Sequence, residues 1–110
     1  MDLEKGDWDR EMLDIFGIEQ SQLPPIRDSI GKFGHVRKDF CFAGVPITAV
    51  LGDQQAALIG TGCSQPGDAK CTFGTGAFLV VNTGSNLHRP PSNFLTTVAQ
   101  SHQGRLQYAV

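Results

Sequence analysis

The chain has 110 residues, a formal net charge of −2, 18% charged and 40% hydrophobic residues. That length suits one small domain with a modest core, and the charge balance offers no basic patch for nucleic acid and no acidic tail. No apolar run approaches the roughly 20 residues of a membrane helix, and the opening MDLEKGDWDRE lacks the apolar stretch of a secretion signal.

Three cysteines, Cys41, Cys63 and Cys71, are an odd number with no C-x-x-C spacing. They read as reduced thiols of a cytoplasmic protein. His35, His88 and His102 are scattered, so the reading contains no metal site.

Residues 6–17 read as a short helix. Asp7 is the expected N-cap, Asp9 and Glu11 fill the first turn, and Gly17 ends it. Trp8, Met12 and Phe16 fall on one face, which predicts a core stripe. Pro24 and Pro25 bar a helix next, and residues 27–39, with Gly31 and Gly34, read as extended chain and turns. Residues 45–51 form a nearly continuous apolar strand, which predicts a sheet covered on both faces. Residues 54–59 follow as a helix with Asp53 as N-cap.

Gln65-Pro66-Gly67-Asp68 is a turn signal. Residues 69–73 and 77–83 are β-rich runs separated by Gly74-Thr75-Gly76, which predicts a tight hairpin. Thr83-Gly84-Ser85-Asn86 closes it, and Arg89-Pro90-Pro91-Ser92 reads as loop. Residues 94–99 and 106–110 are two more strands about a polar turn at 101–104. The sequence stops inside that last strand, so we expect a piece of a longer chain.

Two short stretches carry chemistry. Gly52-Asp53-Gln54 lies where a strand passes into a helix, the edge at which open α/β sheets place ligands. Gly52 is expected to let the backbone turn. Asp53 reads either as a helix cap or as a carboxylate that accepts a proton from an attacking hydroxyl. Gln54 offers a donor and an acceptor, which suits a polyol. In Thr72-Phe73-Gly74-Thr75-Gly76-Ala77-Phe78 the glycines make either an ordinary hairpin turn or a cradle of N–H groups for an anion. A base followed by a phosphate cradle suits phosphoryl transfer.

GVPITAVLGDQQAALIG and GDAKCTFGTGAFLVVNTG together resemble the FGGY carbohydrate kinases, and among them those acting on glycerol. DWDREMLDIFGI, LPPIRDSIGKFG and LQYAV extend the likeness over nearly the whole chain. The resemblance implies an α/β fragment of the actin-like, ribonuclease H-like ATPase fold. Residues 1–62 would finish the first domain and 63–110 would open the second. It implies ATP-dependent phosphorylation of glycerol, with Mg²⁺ beside ATP, and a homo-oligomer for the full-length enzyme. On that mapping Asp53 is the general base, Gln54 hydrogen-bonds glycerol, Phe78 is an apolar wall, and Gly74 and Thr75 contact the ATP phosphates. The family's amino-terminal phosphate loop is missing, so the isolated chain is expected to be inactive. Two alternatives stand beside this reading: another sugar or polyol kinase of the family, and a non-catalytic remnant that serves as an interaction module.

Overall fold

The computed structural model describes residues 1–91 and 93–110, so Ser92, which the sequence places in a loop, lies outside the described residues. Its elements are α1 (Arg10–Phe16), β1 (Ile30–His35), β2 (Pro46–Ala49), α2 (Asp53–Gly60), β3 (Ala69–Phe73), β4 (Ala77–Gly84), β5 (Thr97–His102) and β6 (Arg105–Ala109). The strands form two antiparallel sheets, β1-β2 and a four-stranded β3-β4-β6-β5.

α1 begins later than expected. Its N-cap is Asp9, whose side chain accepts from the Met12 N–H, and Asp7 instead accepts from Trp8 N at 2.7 Å. Asp7 is taken out of the capping role because its carbonyl also accepts from Asp2 N at 2.8 Å, closing an N-terminal turn. Gly17 ends the helix as predicted, with φ 62° in the left-handed region that glycine tolerates best. The expected core stripe is not buried. Met12 is 44% and Phe16 67% exposed, and Trp8 is half-buried with its indole N–H on the Pro24 carbonyl at 2.9 Å.

β1 lies inside the segment read as extended chain and turns, and pairs with β2 through Gly34↔Ile47 and His35↔Pro46. The expectation of a strand covered on both faces is corrected here. All four residues of β2 are exposed, and Val45 and Val50 on its flanks are 49% and 56% exposed. The apolar run reflects surface that the described residues leave uncovered. The small sheet is tied to the large one by a serine pair. Ser29 N donates to the Ser101 carbonyl and hydroxyl, and Ser101 N donates to Ser29 Oγ, each at 3.0 Å.

The β3-β4 hairpin forms where the sequence places it, with five pairs running from Ala69↔Val81 to Phe73↔Ala77. The last hairpin forms about the predicted turn, but its first strand lies later than expected. β5 starts at Thr97, and a two-residue turn at Gln103 (φ 52°) and Gly104 (φ 70°) joins His102 to Arg105. Two successive left-handed residues match the twist of the flanking strands and narrow the turn to the end of the polar stretch 101–104. Phe94 and Leu95 fall outside β5 and are exposed.

The core sits under α2. Leu58, Cys63, Ala99 and Ala109 form its buried cluster, and Val80 packs on it. Asn82, 3% exposed, joins the exit of α2 to β4. Its Nδ2 donates to the Cys63 carbonyl at 3.0 Å and its Oδ1 accepts from Gly84 N at 2.8 Å. Cys41, Cys63 and Cys71 are free thiols, as expected. No helix among the described residues is long and apolar enough to cross a membrane.

Asn82→Ala strands a buried carbonyl and a buried N–H at once. It should lower unfolding free energy by about 2–3 kcal/mol, read from urea denaturation.

Candidate active site

Asp53 is the first residue of α2, and the N-cap is Gly52 (φ −63°, ψ 158°), which corrects the assignment of Asp53 as the cap. Its Oδ1 accepts from the Gln54 backbone N–H at 2.7 Å. The side chain is exposed and makes no ion pair among the described residues. Lone pairs therefore remain to receive a proton from a hydroxyl placed against it.

Gly52 has a backbone that any residue adopts, so the expected need for a glycine turn does not hold. A Cβ there would lie 2.7 Å from Gln55 Oε1. The missing side chain makes room for Gln55, whose Nε2 donates to Thr97 Oγ1 at 3.2 Å and ties the first turn of α2 to β5.

Gln54 points the other way, toward β3. Its Oε1 accepts from Lys70 Nζ, and Lys70 donates a second bond to Thr72 Oγ1 at 2.7 Å. Lys70 is only 6% exposed. Sequence reasoning passed over this lysine. The signal was present in AKCTF, where Lys70 and Thr72 alternate onto one face of a strand and a lysine turned inward must find acceptors. One lone pair of the Gln54 oxygen is thereby engaged, and its NH₂ group has no hydrogen bond among the described residues.

Phe78 pairs across the ladder with Thr72, and Val80 pairs with Lys70. Directly opposite residues share a face, so Phe78 lies on the face that carries Lys70, Thr72 and Val80. Val80 packs against the Leu58 cluster, so this is the face turned to α2. The structure thus brings Gln54 and the Phe78 face to one side of the hairpin. Phe78 is 53% exposed.

Gly74 and Thr75 stand at the hairpin tip, and both are exposed. Gly74 N–H donates to the Gly76 carbonyl at 3.0 Å, so it closes the loop and does not add to a row of open donors. The Thr75 hydroxyl has no hydrogen bond among the described residues, nor does any such bond link the tip to Asp53. At Gly76 a Cβ would come 3.1 Å from the Phe78 ring, so a glycine there lets the ring lie against the loop.

The amino end of α2 is thus tied through Gln54 and Lys70 to a strand of the glycine-tipped hairpin. Residues 1–60 match the model of the FGGY family of carbohydrate kinases, N-terminal domain. The chain belongs to the FGGY family of carbohydrate kinases. It is 47% identical over its full length to the glycerol kinase of Acaryochloris marina, covering 23% of that protein. It is 50% identical over 90% of its length to the glycerol kinase of Nostoc sp., covering 20% of it. The crystal structure of Plasmodium falciparum glycerol kinase with ADP matches 99% of the chain with a TM-score of 0.88 and 37% identity, and the chain covers 22% of that structure. The chain therefore spans about a fifth of the length of the relatives it matches.

Phe78 contributes little to the fold for its size. Phe78→Ala should change unfolding free energy by less than about 1 kcal/mol in urea denaturation, against roughly 3–5 kcal/mol for a buried phenylalanine.

Proposed function

We propose that this chain is the central segment of a glycerol kinase, which phosphorylates glycerol to glycerol 3-phosphate with ATP. The observation that carries the reading is Asp53 at the exposed amino end of α2, with Gln54 tied to the strand of a Gly-Thr-Gly hairpin. The similarity to glycerol kinases supports the choice of substrate and, through the ADP-bound relative, of nucleotide. On this reading residues 1–62 complete the first domain of an actin-like fold, and 63–110 begin the second.

Asp53 accepts the proton of the glycerol hydroxyl as that oxygen bonds to the terminal phosphorus of ATP. The bond from that phosphorus to the bridging oxygen breaks, and ADP leaves. Gln54 donates to a glycerol hydroxyl and holds it at Asp53. Phe78 supplies a flat apolar wall for the carbon backbone. Gly74 leaves open space where a Cβ would stand, which lets a phosphate approach the tip, and Thr75 presents a free hydroxyl there. Among the described residues no three His, Cys, Asp or Glu side chains cluster as a metal cage. Mg²⁺ is commonly held by one or two carboxylates together with substrate phosphates. We assign Mg²⁺ to the ATP phosphates and give it no ligand in this segment.

The segment alone does not assemble these parts into a closed cleft. Phe42, Phe73 and Leu95 are 80%, 83% and 88% exposed, which fits a piece whose cover comes from the remaining four-fifths of the enzyme.

In the full-length kinase carrying this segment, Asp53→Asn should lower kcat by about 10²–10⁴ with a small change in the KM for glycerol. The 110-residue chain by itself should release no ADP in response to glycerol. A coupled ADP assay reads both. Glycerol-dependent turnover by the isolated chain, or an Asp53→Asn enzyme within tenfold of wild type, would defeat the reading.

A further inference from the structure

Lys70 is a charged side chain buried in a strand, and no carboxylate pairs with it among the described residues. Its partners are neutral: Gln54 Oε1 and Thr72 Oγ1. Burying an ammonium is costly unless its protons are taken up, so this arrangement calls for an account beyond packing.

Lysine can only donate. A glutamine facing it must therefore turn its oxygen inward, and its NH₂ group is left on the other side of the amide. Without Lys70 the two ends of the Gln54 amide are nearly equal in shape and free to exchange places. One end accepts a hydrogen bond from a hydroxyl, the other donates one. A substrate oxygen whose proton is committed to Asp53 has only lone pairs left to offer, and only the NH₂ end can bind those. Thr72, two residues along the same face, fixes the lysine in turn at 2.7 Å.

We infer that Lys70 is a positioning residue that locks Gln54 as a hydrogen-bond donor to the substrate. This inference rests on the assignment of Gln54 to substrate binding. It adds a specificity rule: the site recognises a hydroxyl oxygen by its lone pairs at Gln54, and a substrate group that can only donate, such as an ammonium, is rejected there. The lysine itself does not touch the substrate.

The test has two parts. In the 110-residue chain, ¹⁵N relaxation of the Gln54 side-chain amide reads its mobility without any substrate. The wild type should give a rigid order parameter, and Lys70→Met should drop it below about 0.6. In the full-length kinase, Lys70→Met, Gln54→Ala and the double variant are compared. Each single variant should raise the glycerol KM about tenfold and leave the ATP KM unchanged, and the double variant should be no worse than Gln54→Ala. A merely structural lysine would add its effect to that of Gln54→Ala and would disturb both KM values. If Lys70→Met does not fold, Thr72→Val removes one anchor of the lysine and should raise the glycerol KM about two- to threefold. An equally rigid Gln54 amide without Lys70 or its Thr72 anchor, or additive effects, overturns the inference. A rigid wild-type amide that loosens in Lys70→Met, in an enzyme that does not phosphorylate glycerol, overturns the functional reading and leaves the Lys70–Gln54 lock standing.

Discussion

The contact on which the rest of this structure depends is Leu58 against the large sheet. It is 1% exposed and is the one large side chain that is fully buried among the described residues. Its buried cluster consists of Cys63, Ala99 and Ala109, with Val80 packed against it. Burying one leucine contributes roughly 1.5–3 kcal/mol. A core this small leaves much of the organisation to polar ties, and those ties converge on the same helix. Asn82 holds the chain just after α2, Gln55 holds its first turn to β5, and Gln54 joins it to β3. α2 is thus fixed at both ends as well as by its buried face. That double attachment gives Asp53 a defined position even though its side chain makes a single hydrogen bond among the described residues, from its neighbour's N–H.

The same arrangement explains why polar residues with chemistry lie so near the core. Successive residues of α2 serve different purposes because the helix turns about 100° per residue. Asp53 faces solvent, Gln54 faces β3, Gln55 reaches β5, and Leu58 seals the interior. The Gly-Asp-Gln-Gln sequence is one catalytic candidate followed by two struts. The second glutamine, which looks like a repeat of the first in sequence, does a separate job in space.

Local signals in the sequence were strong where chain chemistry decides structure. Gly74 and Gly76 between two β-rich runs mark a hairpin, and Gly17 after a helical stretch marks its end; both stand in the structure. Asp7 and Asp9 are equally good caps on composition, and only the bond from Asp2 to the Asp7 carbonyl separates them. β5 runs on through Ser101 and His102, part of the stretch read as turn, because the turn itself needs only Gln103 and Gly104, both left-handed. The site was legible in part. Asp53 and the hairpin tip announce themselves by residue type and spacing. Lys70 does not, because a lysine's burial is a property of the assembled sheet and helix.

The apolar stripes are the instructive misreading. Met12 and Phe16 on α1, and Val45, Ile47 and Val50 around β2, have the pattern of core positions yet lie open. Periodicity reports that a face is meant to be covered; it does not say by what. On the proposed reading the cover belongs to other parts of a larger kinase. The described side chains leave no buried polar atom without a partner, so the segment's internal hydrogen bonding is satisfied while its apolar faces are not. Hydrogen bonds close over short distances within one unit. Hydrophobic faces are completed only by the neighbour for which they were shaped. Phosphoryl transfer draws its rate from positioning across a closed cleft. On the proposed reading, a segment satisfied in its polar contacts and open on its apolar faces holds Asp53 and the hairpin in register, and leaves closure to whatever packs against those faces.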